Sequence, residues 1–233
     1  MIDFHSHILP GIDDGSRSLE ESLQMLRMEA EQGVTHVVAT PHFYPRHDDP
    51  EKFLARRAKS AMALHRALER YPELPRFTLG AEVYFYRGMS DSDLLDRLRI
   101  GKGNCILVEM PVASWEPSMY AELARIREKR GLTPIVAHVD RYIAPLRTHG
   151  IPRKLEELPV LVQANASFFT ERSTASMALK MLRAGQIHLI GSDCHNTDTR
   201  SPNMAPALER ISRKLGREAL DALEANSRRA LKP

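Results

Sequence analysis

The chain begins with the stretch MIDFHSHILPGIDDG, residues 1–15, in which a short apolar run ends at His5 and His7. Two aspartates, Asp13 and Asp14, follow in the predicted loop. Residues two apart on a strand point the same way, so both histidine side chains are expected on one face. The stretch does not match the G-x-G-x-x-G pattern that follows the first strand of a dinucleotide-binding sheet. The functional residues are therefore expected at the end of the first strand itself, rather than in a glycine-rich loop after it.

Seven β-rich runs alternate with amphipathic helical stretches along the 233 residues. Most of the runs are apolar throughout, as expected for parallel strands that are covered on both faces. The first predicted helix begins at a capping box, Ser18 with Glu21, and stops at Gly33. We predict one α/β domain over 1–233 with right-handed crossovers. The alternation alone fits a barrel or an open doubly wound sheet. The predicted strands are 1–4, 34–40, 76–85, 104–110, 133–139, 160–166 and 187–192, and the other predicted helices are 51–70, 90–98, 117–130, 174–184, 203–214 and 217–225.

The composition limits the classes of partner. A net charge of +3, from 33 basic and 30 acidic residues, argues against nucleic-acid and membrane-surface binding. Two cysteines do not make a disulfide framework. The N-terminus has neither a basic nor an apolar signal region, and no apolar run reaches membrane-spanning length, so we predict a cytoplasmic protein.

Metal-ligand residue types stand at the ends of six of the seven predicted strands. In a parallel barrel these ends converge on one face. A lone histidine or glutamate there is usually just hydrogen bonded, but four buried carboxylates without counter-charge would be strongly destabilising, and metal ions remove that cost. The remaining histidines are predicted to be core or surface residues: His36, His47, His65, His149 and His188. The residues at the ends are His5, His7, His42, Glu82, Glu109, His138, Asp193 and His195, with Asn165 after the sixth strand.

A competing interpretation rests on Cys194 and Arg200, which have the C-x5-R spacing of cysteine-dependent phosphatases. Strand alternation points Cys194 away from Asp193 and His195. A phosphate cradle needs glycines, whereas CHNTDTR has none and places Asp198 in the loop. We interpret the spacing as accidental and Cys194 as a packing residue. Cys105, inside the fourth strand, is likewise predicted to lie in the core.

Six motifs together resemble the polymerase and histidinol phosphatase (PHP) superfamily, in order and over nearly the whole chain: DFHSHILPGIDDGS, ATPH, GAEV, LVEM, AHVDRY and GSDCHN. More narrowly they resemble the manganese-dependent protein-tyrosine phosphatases of bacterial capsule and exopolysaccharide operons, and HILPGIDDG favours that branch. The chain departs from the family at Val139-Asp140, where Pro-Glu is usual, and at Cys194, where alanine is usual.

The resemblance implies a distorted seven-stranded (β/α) TIM-like barrel, the PHP fold, that holds three divalent metal ions. Manganese is the family's metal, although the ligand types also suit Fe or Zn²⁺. Arg141 and Arg200 match the phosphate-binding positions. By resemblance the ligand sets are His5, His7, Glu82 and Asp193 for the first ion; Glu82 as a bridge with Glu109 and His138 for the second; and Asp14, His42 and His195 for the third.

The implied function is hydrolysis of phosphotyrosine by a metal-activated hydroxide, with Asp14 or His42 as the candidate general acid. The implied partner is the C-terminal tail of a membrane-associated tyrosine kinase that controls polysaccharide synthesis. A histidinol-phosphatase-like enzyme for small phosphomonoesters is the alternative, while a nuclease and a non-catalytic scaffold fit less well.

Two surface features accompany this expectation. Loop aromatic residues either flank the tyrosyl ring of the substrate or belong to the core. Arg46 or Arg87, which lie beside them in the sequence, would pair with acidic residues around the phosphosite. The first helix could join subunits of a homo-oligomer as easily as cover the barrel. The aromatic residues are Phe43, Tyr44, Phe85 and Tyr86.

Overall fold

Every pair of neighbouring strands is parallel within residues 1–143 and 150–232, which the computed structural model describes. Helices follow the strands in chain order. The strands are β1 (Ile2–Ser6), β2 (His36–Ala39), β3 (His42–Phe43), β4 (Arg76–Leu79), β5 (Glu82–Tyr84), β6 (Cys105–Glu109), β7 (Thr133–Val136), β8 (Leu161–Asn165) and β9 (Leu189–Gly191). The helices are α1 (Leu19–Glu31), α2 (Pro50–Leu68), α3 (Leu94–Leu98), α4 (Pro117–Arg130), α5 (Asp140–Ile143), α6 (Gly150–Glu156), α7 (Ala166–Thr170), α8 (Ala175–Arg183), α9 (Met204–Leu215) and α10 (Arg217–Ala230), with a 3-10 turn at Met89–Asp91.

The nine strands fill seven positions around a barrel. One sheet has the order β1-β2-β4 and the other β3-β5-β6-β7-β8-β9. β2 passes into β3 at Pro41, which has no N–H to donate to a neighbouring strand, and β4 passes into β5 at Gly80. Backbone bonds continue across both breaks, since the N–H of Gly80 donates to the carbonyl of Ala39 (2.8 Å) and that of Glu82 to Pro41 (3.0 Å). The predicted strand 76–85 is therefore broken in two, and the predicted strand 34–40 is followed by a second short strand that lies beyond its predicted end.

The barrel closes where β9 meets β1. The N–H of Asp193 donates to the carbonyl of His5 (2.8 Å), and the N–H of His7 donates to that of Cys194 (2.9 Å). A Cβ on Gly191 would lie 2.6 Å from the Cβ of His5, so only glycine permits this approach. The closure, together with the two broken strands, confirms the predicted distorted barrel.

Two apolar layers hold the strands in place. Alternate strand residues such as Phe4, Val38 and Leu107 form an inner cluster, and Ala230 of α10 packs against it. The residues between them, such as Val37 and Val108, join the larger cluster beneath the helices. Burying one such aliphatic side chain stabilises the fold by about 1.5–3 kcal/mol. The layers thus support the rim on which the ligand-type residues stand.

Most helices begin and end close to the predicted residues. At α1 the Ser18 hydroxyl accepts from the N–H of Glu21 (3.2 Å), as a cap should, although the Glu21 carboxylate accepts from Arg17 rather than from Ser18. The short helices α5, α6 and α7 were not predicted, because four to seven residues carry too little periodicity. None of the helices within the described ranges is long and apolar enough to cross a bilayer.

Candidate metal centre

His5 and His7, at the end of β1, bring their imidazoles together inside the barrel rim. Their Nε2 atoms lie 3.2 Å apart. Glu82 Oε2 is 3.2 Å from His5 Nε2 and 3.4 Å from His7 Nε2, and Asp193 Oδ1 is 3.6 and 3.5 Å away from the same two atoms. All four side chains are buried. Two nitrogens and two oxygens therefore face one another with no apolar group between them.

Glu82, the first residue of β5, joins this group to a second one. Its Oε1 lies 2.7 Å from His138 Nε2, and its Oε2 lies 3.0 Å from His42 Nδ1. Glu109 stands on the neighbouring strand, 3.7 Å from His138 and 3.9 Å from His42. One carboxylate thus meets imidazoles from both sides, which is the position that a bridging ligand requires.

Asp14 forms the outer end of the group. Its Oδ1 lies 3.6 Å from His42 Nε2 and 3.5 Å from His195 Nε2. The Asp14 side chain is 65% exposed, whereas His195 is buried. The third predicted set is therefore assembled at the opening toward solvent. Together with the other two sets, all nine ligand-type residues expected from the sequence come together.

The local geometry at two of the ligand positions differs from the predicted one. Strands β7 and β9 end at Val136 and Gly191, so His138 and Asp193 follow the strands rather than lying on them. Both have positive φ angles, 31° and 54°, unlike any other non-glycine residue in the described ranges. The side chains reach the centre from backbone positions with positive φ, which is uncommon outside glycine, although Asp and His adopt it more readily than most residues. The assumption of strand alternation between Asp193 and His195 was wrong in detail.

Neighbouring groups fix the orientation of the imidazoles. Asp13 Oδ2 lies 2.8 Å from His7 Nδ1 and accepts from the backbone N–H of His42 (2.9 Å). Gln163 Oε1 lies 3.2 Å from His5 Nδ1 and accepts from the N–H of His138 (2.6 Å). Such partners select the ring nitrogen that faces a metal. Sequence reasoning did not assign Asp13 or Gln163 this role, because only their contacts reveal it.

The pKa values of three buried side chains show how charge is distributed in the group. Glu82 is held ionised, while the pKa values of His7 and His195 are shifted in opposite directions. Burial opposes ionisation of Glu82, but the charge of His5 and hydrogen bonds from histidines outweigh it and hold the pKa of Glu82 well below its usual range. Burial also opposes protonation of His7, yet Asp13 and Glu82 raise the pKa of His7 to about 10. Burial, with the charge of His7, lowers the pKa of His195 to about 3. Protons on these side chains compete with a metal ion for the same nitrogen and oxygen atoms, so the affinity for metal should fall at low pH.

The side-chain chemistry fits divalent cations. Three buried atoms of this centre, His42 Nδ1, Glu82 Oε2 and His195 Nε2, lack a hydrogen bond of good geometry, although the first two lie 3.0 Å apart; Glu29 Oε2, outside the centre, is in the same condition. Buried polar atoms are normally satisfied, so partnerless atoms that converge indicate a missing ligand. Three groups of ligand atoms here each lie within 4.8 Å of one another. Imidazole and carboxylate without thiolate suit Mn²⁺, Fe or Zn²⁺.

Two arginines face the same centre from the rim. Arg141 Nη2 donates to Asp193 Oδ2, and Arg141 Nη1 lies 3.8 Å from Glu109. Arg200 Nη2 donates to Asp193 Oδ1 (3.2 Å), and Arg200 Nη1 lies 3.7 Å from Asp14. About a third of each side chain is exposed. Two guanidinium groups beside a candidate metal centre are positioned to bind an oxyanion.

Comparison with known proteins agrees with this arrangement. Residues 1–232 match the family described as capsular polysaccharide synthesis, CpsB/CapC. The chain belongs to the CpsB/CapC family. It is 28% identical to the tyrosine-protein phosphatase CpsB of Streptococcus agalactiae, covering 96% of this chain and 94% of that protein. It is 29% identical to the tyrosine-protein phosphatase YwqE of Bacillus subtilis, covering 94% and 86%.

A solved structure extends the comparison to three dimensions. The crystal structures of YwqE from Bacillus subtilis and CpsB from Streptococcus pneumoniae are described as those of unique metal-dependent tyrosine phosphatases. The matching chain superposes with a TM-score of 0.86 at 25% identity, covering 99% of this chain and 94% of that one. The resemblance to the metal-dependent phosphatases of capsule operons is therefore confirmed for this CpsB/CapC chain.

Cys194 is not placed for nucleophilic chemistry in this CpsB/CapC chain. Its side chain is fully buried, with Sγ 3.4 Å from Ser6 Oγ and 3.7 Å from Glu29 Oε1. Burial and the nearby carboxylates of Glu29 and Asp3 raise the pKa of the Cys194 thiol well above its usual range. A reactive thiolate requires the opposite environment. The C-x5-R match is thus sterically and electrostatically unsuited to catalysis.

The other expected residues divide between core and surface. Phe43 and Phe85 are buried in the core, whereas Tyr44 is 36% exposed. Cys105 is buried as predicted. Asp140, at the departure from Pro-Glu, accepts from the N–H of Asn165 (2.9 Å) and so fixes the turn before Arg141. His149 lies outside the described residues.

Proposed function

We propose that this chain is a metal-dependent protein-tyrosine phosphatase. The observation that carries the proposal is the convergence of nine nitrogen- and oxygen-bearing side chains beside two arginines, eight of them in close clusters and the ninth, His138, against Glu82 and Glu109, in a chain whose relatives have that name. Phosphate-ester hydrolysis uses this combination, since cations and guanidinium groups both stabilise charge on the phosphoryl oxygens.

The cofactors we propose are three divalent ions, with manganese as the metal. Glu82 would bridge the first two ions, because its two oxygens face different histidines. When bound, such cations act as Lewis acids and make water acidic enough to supply hydroxide near neutral pH. The proposed sets are His5, His7, Glu82 and Asp193; Glu82, Glu109 and His138; and Asp14, His42 and His195.

Arg141 and Arg200 would hold the phosphate. Both guanidinium groups pair with Asp193, so coordination by Asp193 would release them toward substrate oxygens. A planar guanidinium binds two such oxygens at once and stabilises the transition state. Phenolate, whose parent acid has a pKa of about 10, leaves without full protonation. We assign any proton donation to Asp14 or His42, which lie at the solvent side of the centre.

The proposed substrate is a phosphotyrosine in the C-terminal tail of a membrane-associated tyrosine kinase that regulates polysaccharide synthesis. The capsule-synthesis family supports this assignment. A small-molecule phosphomonoesterase would use the same centre and is separated from a protein phosphatase by its substrates alone.

The test measures hydrolysis of p-nitrophenyl phosphate, a phosphotyrosine peptide and histidinol phosphate by the purified chain. Each substrate is assayed untreated, with EDTA, and after Mn²⁺ is restored. We expect EDTA to abolish turnover of the peptide and Mn²⁺ to recover it. Turnover that ignores EDTA would refute the metal mechanism, and a preference for histidinol phosphate over the peptide would refute the protein substrate.

A further inference from the structure

A groove of about 740 Å³ begins beside the candidate metal centre and runs between three loops. Its walls include Tyr44, Tyr84 and Tyr86 on one side, and Pro111 and Ala113 on the other. We call it the aromatic groove. Its volume is within the range of about 300–1,000 Å³ that is typical of ligand sites. A phosphate group held by Arg141 and Arg200 would leave this space to the rest of the substrate.

The aromatic groove lies next to the candidate metal centre. The Tyr44 ring stacks on the imidazole of His42, with centroids 5.1 Å apart, and the Tyr84 ring packs against Tyr44 at 5.9 Å. Tyr84 is also the register partner of Glu109 on the adjacent strand. Two lining tyrosines of the groove, Tyr44 and Tyr84, are therefore direct neighbours of the candidate ligands His42 and Glu109.

A tight turn presents a free positive charge at the edge of the groove. The N–H of Tyr44 donates to Asp48 Oδ2 (2.8 Å), and the N–H of His47 donates to the carbonyl of Tyr44 (2.9 Å), which hold the turn in shape. Arg46 lies at its tip, exposed, and has no carboxylate partner among the described residues. By contrast, Arg87, which also lines the groove, forms an exposed ion pair with Glu116 at 2.7 Å.

We propose that the aromatic groove binds the peptide segment next to the phosphotyrosine, with Arg46 pairing with an acidic residue of that segment. The inference rests on the proposed function, since the phosphate must be held at the metal centre for a neighbouring segment to reach the groove. Aromatic walls give contact area at low entropic cost, and the single free cation gives selectivity for acidic sequence. A small ester has no atoms that reach Arg46.

The test uses two peptides that share one phosphotyrosine, one with acidic and one with neutral flanking residues, together with p-nitrophenyl phosphate. Arg46→Glu should lower kcat/KM for the acidic peptide by roughly fivefold or more, since an exposed ion pair is lost and replaced by repulsion. The values for the neutral peptide and for p-nitrophenyl phosphate should stay within about twofold. The matched control is Arg66→Glu, which makes the same charge change at the far end of α2.

A second variant tests the groove without changing its charge. Ala113 is exposed on the opposite wall, so Ala113→Trp should fill the space without disturbing the core. We expect KM to rise for both peptides and kcat for p-nitrophenyl phosphate to remain unchanged. Parent-like kinetics of both variants on peptides would overturn the groove assignment while leaving the phosphatase function intact.

Two further outcomes count against the proposal. An equal loss in Arg66→Glu would show that overall charge, not the groove, selects acidic peptides. If the unsubstituted chain hydrolyses p-nitrophenyl phosphate in an EDTA-sensitive manner but neither peptide, the proposed protein-phosphatase function fails together with the groove.

Discussion

Two buried groups of acidic side chains lie on either side of the junction between β1 and β9. The metal centre contains Glu82 and Asp193, and positively charged groups hold the pKa of both carboxyls below the usual range. The second group, which we call the outer cluster, consists of Asp3, Glu29, Ser192 and Cys194 beneath α1. Burial raises the pKa of Asp3 there, and burial together with the charge of Asp3 raises that of Glu29.

The difference lies in what the carboxylates face. In the candidate metal centre, imidazoles and guanidinium groups favour the ionised forms of Glu82 and Asp193, so their oxygens remain available to a cation, whereas burial and the charge of Glu82 raise the pKa of Glu109. In the outer cluster, Asp3 accepts from Ser192 Oγ (2.5 Å) and the N–H of Ser192 (2.8 Å), and Glu29 lies beside it with a thiol. The Ser192 donors favour ionised Asp3, but burial and the repulsion between the two adjacent carboxyls outweigh them, so this pair favours holding a proton. Both groups have ligand atoms within 4.8 Å, so proximity alone does not distinguish a metal centre from a structural one.

The largest effect should come from removing the carboxylate charge of Glu82, with the same change at Glu29 in the outer cluster as the control. Glu82→Gln is expected to lower kcat/KM for p-nitrophenyl phosphate by about 10³-fold or more, because a bound metal contributes several kcal/mol to transition-state stabilisation. Glu29→Gln, the matched buried control, should retain activity within about twofold. Steady-state kinetics in saturating Mn²⁺ measure both, and equal losses would contradict the division into a catalytic and a structural group.

A smaller effect is expected at Asp13, which orients His7 and the backbone of His42. Asp13→Asn should weaken Mn²⁺ binding by about 10–100-fold, the usual effect of changing a partner of a ligating histidine. Competition with a fluorescent chelator gives the affinity without reference to turnover. Asp198→Asn removes an exposed charge from the loop before Arg200 and is the control. Equal affinities of the two variants would show that the hydrogen bond of Asp13 to His7 does not prepare the site.

The convergence of the ligand-type residues was predictable because chain order alone brings parallel strand ends to one rim. His5, Glu82 and Glu109 needed only the correct strand register. The left-handed turns at His138 and Asp193 were not predictable, since the backbone N–H of His138 donates to the side-chain oxygen of Gln163 and that of Asp193 to the carbonyl of His5, both distant in sequence.

The outer cluster was equally hidden in the sequence. Glu29 resembles any other charged residue of α1, and only the packing of α1 against Asp3, Ser192 and Cys194 shows that it is buried. A short-range pattern cannot report a contact made across more than 160 residues. The prediction of one domain over 1–233 stays a prediction.

Glu29 should also give the chain a pH-dependent loss of stability. Its pKa is raised on folding, so the folded state binds more protons, and the free energy of unfolding falls as pH rises above the unfolded value of 4.5. In Glu29→Gln this loss is absent. Denaturant unfolding should therefore show the variant gaining stability relative to the parent as the pH rises from 4.5 to 8.

Glu31→Gln, at the exposed end of the same helix, is the control for that experiment. Its stability relative to the parent should stay constant with pH. If the stability difference between Glu29→Gln and the parent does not change with pH, the Glu29 carboxyl is not protonated in the folded chain.

The smallest effect, and the one that separates the two interpretations of residues 194–200, is expected at Cys194. Cys194→Ala should leave phosphatase activity within about twofold, because the buried thiol faces Ser6 and Glu29 rather than the metal centre. Removing the sulfur should cost about 1 kcal/mol of stability through the small cavity it leaves. Loss of all activity in a variant that still binds Mn²⁺ with parental affinity would restore the cysteine nucleophile. Unchanged turnover would instead confine Cys194 to the packing between the barrel wall and α1.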